Sequence, residues 1–60
     1  MIRVTGMNNK EMIINCDQIE KIEEVPETVI TLVNGNKYLV LETSDEIVDL
    51  TIEFKRRIYK

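Results

Sequence analysis

The sequence predicts an α+β domain: a small antiparallel β-meander or half-barrel of about five strands with one C-terminal helix. Three observations carry that expectation. The runs Val29-Ile30-Thr31-Leu32-Val33 and Lys37-Tyr38-Leu39-Val40-Leu41 flank Asn34-Gly35, the strongest short-range pattern for a β-hairpin. Thr43-Ser44-Asp45-Glu46 has capping-box spacing, with Thr and Glu side chains placed to satisfy the orphan amides of a helix start. The links between elements are short, and links of that length force antiparallel neighbours.

In chain order, Ile2 and Val4 alternate with Arg3 and Thr5, giving a first strand with one apolar face. Residues 6–10 include Asn8-Asn9, which tolerate positive φ in a turn. Glu11-Met12-Ile13-Ile14-Asn15 returns as the second strand, and Cys16-Asp17-Gln18 reads as a polar connection. Ile19 and Ile22 are spaced for a helical turn, but the neighbouring strands favour a β reading of residues 20–25 after one irregular turn at 17–19. Pro26 ends that strand because it has no amide to donate.

A two-residue type I′ turn at Asn34-Gly35 pairs Val33 with Asn36, Thr31 with Tyr38 and Val29 with Val40. One face then carries Val29, Val33, Tyr38 and Val40, the other Ile30, Leu32, Leu39 and Leu41. A solvated antiparallel sheet normally has one polar face, and this hairpin does not.

The helix repeats that surplus. Ile47, Leu50, Phe54 and Ile58 form one stripe, while Val48, Ile52 and Tyr59 form a second roughly 120° around the cylinder. Asp45, Asp49, Glu53, Arg56 and Lys60 share the polar face, where Asp49–Arg56 and Glu53–Arg57 are favourable spacings. The second stripe asks for a partner, so Val48, Ile52, Tyr59 and Tyr38 are the expected contacts of a homo-oligomer.

Composition supports that expectation. Sixty residues form one domain, 1–60, which buries only about 60% of its unfolded surface and gains from external support. The single cysteine, Cys16, excludes an intrachain disulfide and reads as a small buried residue of a reducing cytoplasm. There is no signal peptide pattern and no apolar run of membrane-spanning length.

Catalysis fits poorly, since the chain has no histidine, and Ser44, its one serine, belongs to the helix start. The carboxylates show no pair set apart by environment, so no enzyme, cofactor or small-molecule substrate is expected. The acidic run Asp17, Glu20, Glu23, Glu24 and Glu27 lacks calcium-loop spacing and reads as a solvated edge that discourages sheet pairing. A net charge of −3 disfavours nucleic acid and anionic lipid. Lys55, Arg56, Arg57 and Lys60 are nevertheless gathered at the end of the helix. They complement its dipole, and they are also the candidate docking patch for an acidic partner, RNA or a lipid headgroup surface.

The stretches Asn15-Cys16-Asp17-Gln18-Ile19-Glu20-Lys21-Ile22-Glu23 and Pro26-Glu27-Thr28-Val29-Ile30-Thr31-Leu32-Val33-Asn34-Gly35-Asn36-Lys37-Tyr38-Leu39-Val40 resemble the FlbD/SwrD family of bacterial flagellar and swarming motility proteins. That family's pattern runs N-A-x-x-I-E-x-I-E, then P-D-T-x-I-T-L-x-N-G-K-K-Y-x-V-x-E-S, then a helix ending in basic residues. Cys16 stands where the pattern has alanine, Asn36 where it has lysine, and Leu41 at a position commonly charged. The resemblance implies a non-enzymatic cytoplasmic accessory protein at the flagellar base. It would support motor power through contact with a motor or stator component, and peripheral membrane contact stays open. A small RNA- or DNA-binding regulator is the alternative, given the basic helix end, though the acidic balance counts against it.

Overall fold

A computed structural model describes residues 1–58. Its elements are β1 (Ile2–Thr5), β2 (Glu11–Ile14), a 3-10 turn (Cys16–Gln18), β3 (Ile19–Glu24), β4 (Thr28–Leu32), β5 (Lys37–Val40) and α1 (Ser44–Ile58). β1 and β2 form one antiparallel sheet, and β3, β4 and β5 form a second, in that order. An antiparallel bridge between Gly6 and Val40 joins them, and the Leu41 amide donates to the Thr5 carbonyl at 2.8 Å. The strands therefore follow one another as β2-β1-β5-β4-β3, with β2 and β3 at the edges. This is the α+β fold of five strands and one C-terminal helix that the sequence predicts.

Two of the three hairpins, β1–β2 and β4–β5, turn through the same kind of loop. In the first, the Gly6 amide donates to the Lys10 carbonyl and the Asn9 amide to the Gly6 carbonyl, both at 2.9 Å. In the second, the Leu32 amide donates to Asn36 at 2.8 Å and the Gly35 amide to Leu32 at 2.9 Å. Each loop has three residues, Met7-Asn8-Asn9 or Val33-Asn34-Gly35, and its last residue has positive φ (Asn9 65°, Gly35 93°). That is the type I turn plus left-handed residue of a three-residue hairpin.

This corrects the expected two-residue type I′ turn, which requires positive φ at Asn34 as well. Among the described residues only Asn9 and Gly35 have it. The register moves by one accordingly: Thr28 pairs with Val40, Val29 with Leu39, Ile30 with Tyr38 and Thr31 with Lys37. A one-residue slip exchanges which side chains share a face. Tyr38 and Val40 now lie with Thr28, Ile30 and Leu32 against the core, while Val29, Thr31, Lys37 and Leu39 take the other face. The second face is mixed rather than apolar.

β3 resolves the ambiguous spacing of Ile19 and Ile22. The register with β4 shifts between Ile19 and Lys21, a bulge that inserts one residue. The extra residue lets two isoleucines three apart both pack against the core. Ile2, Val4, Ile14, Cys16, Ile30, Val40 and Ile47 form that core.

α1 begins as the capping box predicts. The Thr43 amide donates to Glu46 Oε1 at 2.8 Å, and the Glu46 amide to Thr43 Oγ1 at 3.2 Å. Glu24, at the end of β3, adds a second cap: its Oε1 accepts from the Ser44 amide at 2.8 Å and also from the Ser44 hydroxyl. Ile47 is fully buried, and Thr51 and Phe54 continue its inner line half-buried. Leu50 and Ile58, expected on the same stripe, are exposed.

Candidate functional site

The charged side chains on α1 are segregated along its length. Asp45 and Glu46 occupy the first turn, Asp49 and Glu53 follow, and Lys55, Arg56 and Arg57 occupy the last turn. That order opposes the helix dipole at both ends and so favours the helix. Its outcome is one acidic and one basic end on a single exposed element.

At the basic end, Lys55 Nζ sits 3.1 Å from Asp17 Oδ1, tying the helix to the 3-10 turn before β3. Arg57 Nε lies 3.5 Å from Glu53 Oε1, one helical turn back, the favourable spacing read from the sequence. Arg56 is exposed and has no ion pair among the described residues. Lys60 and Tyr59 lie outside the described residues. Lys55, Arg56 and Arg57 are thus brought together on one solvated turn, as a surface and not as a pocket.

Of the expected oligomer contacts, Val48 is 46% exposed and Ile52 48%, both on the second stripe. They meet Ile19 and Ile22 across a groove of ≈ 250 Å³, floored by Cys16 and Thr51. Tyr38 lies elsewhere, half-buried against the core on the inner face of the sheet. The shifted register puts it there.

Sequence reasoning missed two arrangements. Arg3 and Leu50 share a broad open groove with Glu42, Glu46, Asp49 and Glu53, four carboxylates drawn from the β5–α1 link and the helix. Periodicity within α1 shows three of those acids on one side, but only the fold brings Arg3 beside them. The second is the Glu24–Ser44 contact, which spans 20 residues.

Hydrogen bonding from the Ser44 hydroxyl, then from its amide, holds the Glu24 carboxyl below the ordinary range. Partial burial pushes Glu42 upward, but the Thr5 amide donates to both its oxygens, at 2.9 and 3.1 Å, and the net shift is downward. Both acids serve as ionised hydrogen-bond acceptors that join elements.

Among the described residues no three His, Cys, Asp or Glu side chains converge as a metal site. No described helix is long and apolar enough to cross a membrane. What the geometry offers is surface: a basic helix turn, an apolar groove beside it, and an acidic groove around Arg3.

A family model described as FlbD, flagellar and swarming motility proteins, matches residues 1–59. No curated protein and no solved structure gives a significant match.

Proposed function

The chain belongs to the FlbD family of flagellar and swarming motility proteins, and we propose that it is a non-enzymatic accessory factor that supports the motor through protein–protein contacts. The observation that carries the reading is the basic last turn of α1, held on a rigid element and presented to solvent. An acidic segment of a motor or stator component at the cytoplasmic flagellar base is the partner this surface fits. Arg56 and Arg57 are its strongest contacts, because guanidinium groups pair with carboxylates in forked geometry. Nucleic acid is a poorer match, because the chain's net charge is −3 and the basic cluster is confined to one helix turn.

The test is the double variant Arg56→Glu and Arg57→Glu in motile cells. Its circular dichroism and melting should stay close to wild type, since exposed charges contribute little to stability. Flagella should assemble in normal number while swimming and swarming fall. Normal motility with a folded double variant would remove the basic turn from the mechanism. A gel shift that weakens steeply with salt would instead favour the regulator reading.

A further inference from the structure

We propose that the exposed stripe of α1 is a self-recognition surface, on which a second copy of this chain packs antiparallel to form a two-fold dimer. Asp45, Val48, Ile52 and Arg56 follow one another at spacings of three and four, so they share one side of the helix. The stripe is acidic at its start, apolar in its middle and basic at its end. All four residues are exposed.

Such an order is complementary to its own reversal. A two-fold axis between Val48 and Ile52 places Val48 against the partner's Ile52 and Ile52 against the partner's Val48. The same axis brings Asp45 towards the partner's Arg56, and Arg56 towards the partner's Asp45. Each charge pair occurs twice, as an isologous interface requires. A parallel pairing would set acid against acid and base against base.

The surroundings fit the same occupant. Ile19 and Ile22 rise beside Val48 and Ile52 to form the apolar groove, and a neighbouring helix could seat its own Ile52 there. Apolar centre and charged rim are the anatomy of a protein interface. A standard interface takes about 800 Å² from each partner, roughly a fifth of the 4402 Å² surface of this chain. Arg56 lies on both this stripe and the motor-docking turn, whereas Arg57 lies off the stripe. Arg57→Glu alone should therefore impair motility and leave the dimer intact, and Asp45→Arg should weaken the dimer without touching the basic turn.

Sedimentation equilibrium on the purified full chain tests the proposal. Wild type should associate to a dimer in the micromolar range, and Ile52→Lys should be monomeric there with helical circular dichroism retained. Asp45→Arg and Arg56→Asp should each self-associate roughly tenfold more weakly, because like charges then meet across the axis. Mixed in equal amounts, those two variants should form a heterodimer close to wild-type strength, since the mixture restores both opposite-charge pairs. That rescue distinguishes the proposed pairing from a merely structural effect of either substitution. A monomeric wild type, an Ile52→Lys dimer, or a mixture no stronger than its components would each overturn the proposal.

Discussion

Asn9 and Gly35 hold the same position in two copies of one loop. Each is the third loop residue, with φ of 65° and 93°. Each follows an asparagine whose Oδ1 accepts the amide two residues on, Asn8 from Lys10 at 3.1 Å and Asn34 from Asn36 at 3.0 Å. One loop solves the left-handed position with glycine and the other with asparagine, the side chain that best tolerates it.

The difference predicts opposite responses. Asn9→Gly should raise stability by about 0.5 kcal/mol, the relief of φ strain exceeding the added freedom of the unfolded chain. Gly35→Val should lower it by about 1–3 kcal/mol. A Cβ at Gly35 would meet nothing within 4 Å, so the cost is conformational and not steric crowding by neighbours. Urea denaturation midpoints of the two variants check both signs.

Thr31 is 4% exposed, and its Oγ1 has no hydrogen-bond partner among the described residues. A buried hydroxyl without a partner forfeits its hydration. Thr31→Val keeps the β-branched shape of the side chain and should raise stability by about 1 kcal/mol. A lower melting temperature for the variant would show that the hydroxyl is satisfied in solution.

Glu24 and Glu42 both titrate below the ordinary value of 4.5 when folded. Between the folded and unfolded values the unfolded chain binds more protons, so stability rises with pH there. Their contribution is complete above about 4.5 and is lost as pH falls through the folded values. Melting temperature should drop on acidification below that point. Glu42→Gln should flatten the drop while lowering stability at neutral pH, which a melting series across pH will show.

Ile47 anchors α1 with a fully buried side chain. Ile47→Ala should cost about 2–5 kcal/mol through lost burial and the cavity left behind. A 60-residue domain has only about 3–9 kcal/mol in total, so the variant should be largely unfolded by circular dichroism near physiological temperature. Full retention of helix would mean that the sheet does not rely on α1.

The strands themselves, the capping box and the helix were legible because each rests on residues close in sequence. The separation of β2 from β3 and the placing of β1 beside β5 were not, because that seam joins residues distant in the chain. Nor was the register of β4 with β5. Asn34-Gly35 suits both a two-residue and a three-residue loop, and the choice depends on whether Val33 ends a strand or enters the turn. Val33 enters the turn, 59% exposed, because that register turns Tyr38 and Val40 inward together with Ile30. Local propensity favours β-branched Val33 in a strand, and packing of the inner face overrides it. At the candidate site, Lys55, Arg56 and Arg57 were readable as a cluster from their adjacency. The groove beneath Val48 and Ile52 was not, because its other wall, Ile19 and Ile22, depends on the bulge in β3 and on where the helix docks.

The seam between β1 and the end of β5 has a kinetic meaning. Thr5 donates its amide to Glu42 and accepts from Leu41, across 37 residues in the case of Glu42. Every other strand pairing among the described residues joins neighbours in the chain. Hairpins of that kind close in about 1–10 μs, whereas a long loop must surrender its entropy before the distant contact rewards it. Loop-closure entropy therefore favours hairpin pairing ahead of the Thr5–Glu42 seam. A contact made after the folding barrier slows escape from the native state without hastening arrival. A seam closed on that side of the barrier would act on the protein's unfolding rate and leave its folding rate unchanged.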